Sequence, residues 1–478
     1  MQTAAEKEPF YRVPYELFGD GSFRRALIIG AGSGSDAAVA LLHGVGQVDA
    51  VEIDPVITRL GRANHPDRPF SDLRVTVHVD DGRAFLRQTR EHYDLIVFAL
   101  PDSLTLTSQF ASLRLESFLF TTEAFAEARR RLSDDGVLVL YNFYRETWLL
   151  RKLAGMLETT FGEPPYVVSY GGWGRAAVLI AGPRLSATLA TRPDLNRPYA
   201  ETAPGAEAPQ LADDPNAMLL PVIGGGLLGA GNPAGEVDAT ASGALPIGAA
   251  TDDWPLMYLR APSLPGVYLA GLAMVGVCAL ALVYGLAGRG AWRGFNGHMF
   301  SLGAAFMLLE TRSLVTFSLL FGSTWLVSTL VFFAILCSVL LAVLLSARLA
   351  IRPSVTLYAA LLTALLVAYL LPADALLRIG SAPLRYAVAS LVAFLPIFLA
   401  NVVFAGSFRL TGGAADLAFA SNLLGIVAGG MLEYTALLFG YRHLLLLAMG
   451  FYALAALASW LKTPRPEWRR LPRPSPSP

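Results

Sequence analysis

Up to about residue 182, apolar positions come in short runs broken by polar punctuation. Runs at 26–29, 48–53, 74–79, 93–99, 136–141, 166–169 and 176–180 predict strands. Between most of them, the stretches 35–43, 55–64, 82–90, 121–132 and 146–160 place apolar residues at helical spacing. That alternation predicts a Rossmann-like α/β domain with a seven-stranded, largely parallel sheet covered by helices on both faces. From 263 onward the period is lost in long apolar runs at about 263–286, 299–321, 324–347, 354–371, 385–406, 414–437 and 443–461. Each is about 18–25 residues, long enough for a hydrocarbon core about 30 Å thick, so about seven transmembrane helices are predicted. The predicted organisation is a nucleotide-binding domain over 1–182, a Pro/Gly/Ala-rich linker over 183–261, an all-α polytopic domain over 262–462 and a basic, Pro-rich tail over 463–478.

Composition agrees with two unlike halves. Of 478 residues, 54% are hydrophobic and 15% charged, too oily for an ordinary soluble enzyme. The formal net charge of zero gives no reason to expect nucleic acid as a partner. Cys278 and Cys337 both fall in apolar runs, which excludes a disulfide framework or a cysteine metal site in the soluble part and reads them as packing residues. The N-terminus lacks the basic-then-apolar order of a secretory signal.

The chemistry concentrates after the first three strands. In "ALIIGAGSGSD", Gly30, Gly32 and Gly34 let backbone approach a ligand where a helix offers free N–H groups. Ser35 stands where a dinucleotide fingerprint needs its third glycine, so the spacing fits an adenosylmethionine-type turn better and disfavours a nicotinamide oxidoreductase. Glu52, ending the second strand, can accept both ribose hydroxyls. Asp81 follows the third strand, where it can accept from an adenine amino group. For either acid alone, a solvated loop or helix cap is the competing reading.

"ALIIGAGSGSD", "AVEIDPVI", "VDDGRAFL" and "YDLIVFALPDS" together resemble the spermidine synthase (polyamine aminopropyltransferase) family over about residues 10–182. "TDDWPLMYLR" and "GAAFMLLETRSLVTFSLLFGSTW" resemble segments of bacterial spermidine-synthase-like proteins fused to membrane helices. The resemblance implies S-adenosylmethionine or its decarboxylated form as bound substrate. It also implies departures. Ser33 stands where the family has an aspartate holding the donor amine, and Ala99 where it has the proton-accepting aspartate. The second aspartate of that loop survives as Asp102, the residue expected nearest the acceptor. Losing a general base removes about 10²–10⁴-fold, so ordinary polyamine synthesis is not expected. Ser103 and Thr105 in the same loop, and Tyr15 with Tyr11 as an N-terminal gate, are expected to line the substrate mouth; half-buried packing is the competing reading for the tyrosines.

Asp252, Asp253 and Trp254 precede the first long apolar run and read either as a helix cap with an interfacial anchor or as a lid on the nucleotide domain. Glu310, Arg312, Asp416 and Glu433 lie in predicted spans, where a central charge costs about 2.5–3.5 kcal/mol and needs a partner. Glu310 and Arg312 face different ways and are expected to pair with other helices. Gly425 and Gly429 predict a close helix contact. Arginine and lysine counts place the soluble domain outside, whereas a cytosolic nucleotide and a signal-less domain place it in the cytoplasm; the second argument is taken, giving an integral protein of a bacterial inner membrane. The expected partners are the lipid bilayer and a small-molecule or lipid-like acceptor, with a homodimer left open. Two functions remain: a membrane-anchored transferase, or an inactive nucleotide-binding sensor regulating a membrane transport unit.

Overall fold

The structure is a computed structural model describing residues 2–99, 117–144, 146–171, 175–201, 222–229, 247–287, 294–322, 325–349, 351–371, 375–376, 379, 381–412 and 415–462. The chain divides into two units, Met1–Ser263 with Phe317–Ser328, and Leu264–Thr316 with Thr329–Pro478.

In the first unit, a short helix α1 (Val13–Phe18) precedes β1 (Arg25–Ile29), α2 (Ser35–Leu42), β2 (Gln47–Glu52), α3 (Pro55–Asn64), β3 (Val75–Val79), α4 (Gly82–Gln88) and β4 (Tyr93–Ala99). There follow α5 (Thr122–Arg131), β5 (Leu132–Tyr144), α6 (Thr147–Phe161), β6 (Tyr166–Tyr170), β7 (Arg175–Ala181), α7 (Pro183–Thr191), β8 (Ala200–Glu201) and β9 (Val222–Leu227). The sheet order is β3-β2-β1-β4-β5-β7-β6-β9-β8. The first five strands in that order are parallel; β7 joins β5, and β6 joins β7, antiparallel. The order reverses between β1 and β4, which puts a crevice at the carboxyl ends of those strands.

Apart from Asp94, β4 is an unbroken run of apolar or aromatic residues, as its place requires, since every residue of Tyr93–Ala99 is buried. Two cores flank the sheet. One gathers Ile28, Val39, Val97, Val139 and Tyr141 beneath α1 and α2; the other gathers Leu27, Ile96, Phe98, Phe125 and Leu153 beneath α5 and α6.

Among the described residues, nine strands and not seven form the sheet. The extra two come from the stretch read as a linker, which also supplies α7. β9 reads "VIGGGL", and its three consecutive glycines hide the alternation that marks a strand. Their lack of side chains has a use: a Cβ on Gly226 would lie 2.5 Å from the Pro198 carbonyl oxygen.

In the second unit and the connections into it, six helices among the described residues are long and apolar enough to cross a membrane: Gly266–Gly285, Gly297–Phe321, Val331–Leu349, Ala387–Arg409, Ala415–Phe439 and His443–Leu461. The fourth predicted span, 354–371, forms a shorter apolar helix of 16 residues, Val355–Leu370, a rise of about 24 Å. The predicted close contact is present. A Cβ on Gly425 would lie 2.0 Å from the Phe300 carbonyl oxygen, and one on Gly429 2.6 Å from that of Ala304. Cys278 and Cys337 are free and exposed on helix surfaces, where apolar neighbours share their faces, and are not core packing residues.

Candidate functional site: a nucleotide crevice at the ends of β1, β2 and β3

The glycine turn forms because three residues in it take backbone angles that side chains disfavour: φ is +82° at Gly30, +54° at Gly32 and +102° at Gly34. The turn is held from two sides. Glu52, 6% exposed at the end of β2, accepts the Gly32 N–H at 2.8 Å with one oxygen and the Asp54 N–H at 3.0 Å with the other. From the opposite side α3 packs on the turn so closely that a Cβ on Gly61 would lie 2.4 Å from the Ser33 carbonyl oxygen. Glu52 therefore shapes the turn as well as standing where a ribose would meet it.

Asp81 caps α4, accepting the Ala84 N–H at 2.9 Å, so the helix-cap reading of this acid is realised. Its neighbour Asp80 accepts the Asp81 N–H at 2.8 Å, and burial raises the Asp80 carboxyl above its ordinary range. Gly322, in the Phe317–Ser328 segment of the first unit, is buried against this corner: a Cβ there would lie 2.7 Å from the Asp81 Cβ. The strand-end positions of Gly30, Glu52 and Asp81 are thus those expected. Ala99 ends β4 fully enclosed at 1% exposure and lies level with Tyr141 on β5. Asp102, Ser103 and Thr105 lie outside the described residues.

Tyr15 is a correction. It is 4% exposed, stacks on His43 with ring centroids 4.7 Å apart and meets Phe23 edge-on, so it packs α1 against the far end of α2 instead of lining a mouth. Tyr11 lies closer to the strand ends, stacked on Phe10 and edge-on to Tyr141 at 5.5 Å.

Asp252 caps no helix. Its carboxylate meets Arg83 at 3.0 Å and accepts the Thr121 hydroxyl at 2.7 Å, while its own N–H donates to Glu123 at 2.9 Å. Arg83, 3% exposed, also pairs with Glu127 at 2.6 Å and donates to the Phe118 carbonyl. Burial works against the Arg83 charge, but Asp252 and Glu127 outweigh it and raise its pKa. A few residues on, the buried Lys152 donates to the Leu256 and Leu259 carbonyls at 2.9 and 2.8 Å and lies 4.6 Å from the Trp254 ring; burial lowers its pKa to about 7. The "TDDWPLMYL" segment is therefore a brace across α4, α5 and α6, attached two residues from Asp81. Sequence reading passed over Arg83 and Lys152, because a lone cation on an amphipathic helix looks like a solvated one.

Comparison with known proteins bears on this geometry. Residues 8–168 match the family model described as the spermine/spermidine synthase domain. Over these residues the chain is similar to spermidine synthase domains. Curated relatives of this domain include the polyamine aminopropyltransferase of Pectobacterium atrosepticum, 32% identical over 151 residues, covering 30% of this chain and 49% of the relative. Polyamine aminopropyltransferase 1 of Streptomyces coelicolor is 32% identical over 170 residues, covering 32% of this chain and 30% of the relative. The chain thus spans half or less of the length of these relatives. Similar solved structures include spermidine synthase from Thermotoga maritima, at 22% identity and TM-score 0.31, covering 37% of this chain and 61% of that one. Human methyltransferase-like protein 13 in complex with SAH is 21% identical with TM-score 0.28, covering 39% and 84%.

The charges in the apolar helices resolve differently from one another. Glu433 accepts the Thr311 hydroxyl at 3.0 Å across two helices. Arg312 donates to the Thr316 hydroxyl at 2.6 Å one turn along its own helix. Asp416 is exposed in the first turn of Ala415–Glu433, where a carboxylate complements the helix dipole. Glu310 is half-buried in Gly297–Phe321.

Proposed function

We propose that this protein is a membrane-anchored transferase that binds S-adenosylmethionine or its decarboxylated form and passes a methyl or aminopropyl group to a small-molecule or lipid-like acceptor. The observation that carries the reading is the convergence of the glycine turn, Glu52 and Asp81 at the ends of three neighbouring strands, in a domain that matches spermidine synthases. The turn offers backbone N–H groups, Glu52 a buried charged acceptor for ribose hydroxyls, and Asp81 an acceptor at the adenine end. The bilayer anchors the domain through the apolar helices, with the domain on the cytoplasmic side, where the nucleotide is made.

Ser33 and Ala99 favour a second reading, a nucleotide-binding sensor without turnover, because neither side chain carries the negative charge that holds an ammonium or the basicity that takes its proton. Incubating membranes with isotope-labelled adenosylmethionine or its decarboxylated form, followed by mass spectrometry of products, separates the two. A labelled methyl or aminopropyl product supports the transferase; binding without product supports the sensor; binding of neither nucleotide overturns both. The wild type is expected to make no spermidine from putrescine, and the double variant Ser33→Asp/Ala99→Asp to make it measurably. Wild-type turnover of about 1 per second or more on putrescine would refute this view of the missing acids.

A further inference from the structure

The stretch "GAAFMLLETRSLVTFSLLFGSTW" has no role in the transfer chemistry above, yet its residues Leu319 and Gly322 reach the corner where Asp81 stands. Both lie in Phe317–Ser328, which belongs to the first unit, at the end of the apolar helix Gly297–Phe321. Gly322 takes φ +92° and donates its N–H to the Ser318 carbonyl at 3.0 Å, a left-handed helix ending. That ending rests on the start of α4. A Cβ on Gly322 would lie 2.7 Å from the Asp81 Cβ, 3.2 Å from its carboxyl carbon and 3.3 Å from the Ala84 Cβ. Arg87, one turn past Arg83 on α4, donates to the Leu319 carbonyl, one of the acceptors that a helix end leaves without an intrahelical partner. The same guanidinium meets Glu127 at 3.2 Å and Asp252 at 3.8 Å. Three stretches far apart in sequence therefore meet beside one carboxylate: α4, the brace at Asp252 and the helix end at Leu319–Gly322.

This packing bears on what Asp81 can distinguish. A hydrogen bond to a base edge weakens steeply once its acceptor moves out of line, so an acceptor reads a base only if its surroundings hold it in place. We propose that Gly322 and Arg87 are positioning residues for Asp81, holding its carboxylate where it selects an adenine amino group over the carbonyl of hypoxanthine. The proposal rests on the reading of Asp81 as the acceptor at the adenine end and names what sets the base preference there. Gly322 gives Asp81 a flat backbone surface to rest on. Any other residue would be strained at this φ and would drive its Cβ into the Asp81 side chain. Arg87 fixes the height of that surface above α4 by tying the Leu319 carbonyl to the buried carboxylates.

Calorimetry on the full chain in detergent tests this with 5′-methylthioadenosine and 5′-methylthioinosine, which carry an amino group and a carbonyl, respectively, at the same base position. Wild type is expected to prefer the adenosine about tenfold or more, because a carboxylate accepts from an amino group and repels a carbonyl. Gly322→Ala should bring the preference to within about threefold by weakening methylthioadenosine, with methylthioinosine staying within about threefold of wild type. Arg87→Gln should lower the preference by a smaller factor, and it carries the test if Gly322→Ala does not fold. Asp81→Asn keeps a good helix cap but can turn either a donor or an acceptor to the base, so it should remove the preference alone. Gly322→Ala added to Asp81→Asn should then change the preference no further, the mark of residues acting through one another. A wild type that binds neither nucleoside would sink the nucleotide reading and this proposal with it. Equal binding of both by wild type, an unchanged preference in Gly322→Ala and Arg87→Gln, or an equal loss for both nucleosides would overturn the positioning role and leave the nucleotide reading in place.

Discussion

Glu52→Gln keeps the size of the side chain at the end of β2 and removes its charge. Both carboxylate oxygens accept backbone N–H groups, from Gly32 at 2.8 Å and Asp54 at 3.0 Å, on a side chain almost out of water. Glutamine offers one oxygen and one NH₂, so one of the two N–H groups must face a donor. The loss is one charge-assisted hydrogen bond, about 1.5–3 kcal/mol. Because the same carboxylate shapes the glycine turn, affinity for adenosylmethionine should fall by about tenfold to a hundredfold, at about 1.4 kcal/mol per factor of ten. Calorimetry on the full chain in detergent reads the affinity, and a thermal melt of the same sample separates a loosened turn from a collapsed domain. Asp102→Ala, taken through the same titration, should cost only a few-fold, since that residue is expected to face the acceptor. Equal losses in the two variants, or an unchanged affinity in Glu52→Gln, would show that the carboxylate only closes a turn and that the ligand lies elsewhere.

Asp252→Ala should destabilise the first unit by about 3 kcal/mol or more, because it strips one of two paired carboxylates from the buried Arg83 and leaves Glu127 as the other; a melt shifted by less than a degree would count against the brace. The Asp36 carboxyl, raised from 3.8 to about 7, favours the protonated folded state, so its cost is absent below about pH 4, grows with rising pH and is complete above about pH 7, reaching at most about 4 kcal/mol. Asp36→Asn should therefore be more stable than wild type at pH 8 and indistinguishable from it near pH 4, and equal melting points at pH 8 would refute the assignment. Gly425→Val should lower the melting temperature of the detergent-solubilised protein by several degrees, since its side chain would collide with the Phe300 carbonyl; an unshifted melt would mean that the two helices separate freely.

Much of the architecture is legible in the sequence. Local patterning decides where strands and helices begin, and the helix over 55–64 and the strand over 93–99 fall on the residues expected. The turn glycines, Glu52 and Asp81 were legible too, because a parallel α/β sheet brings every strand end to one edge and the sequence states which residues stand at those ends. The long apolar runs revealed the helices long and apolar enough to cross a membrane for a similar reason: the length needed to cross a bilayer is itself a local property.

Other features existed only once the chain had folded. The strand "VIGGGL" carries no alternation and becomes a strand by pairing with β6, which lies more than 50 residues earlier. Tyr15 looks the same in sequence whether it gates a mouth or stacks on His43, and packing alone chose the second. The pairing of Arg83 with Asp252 joins residues 169 positions apart, and a charge becomes a buried brace only when its partner arrives from that distance. Asp36 was plain in "GAGSGSD", yet its electrostatic neighbours Lys7, Tyr11 and Tyr15 came from the N-terminal segment folding across α2. Sequence determines what each position can do locally; burial and long-range pairing, which are properties of the whole fold, decide which of those capacities is used.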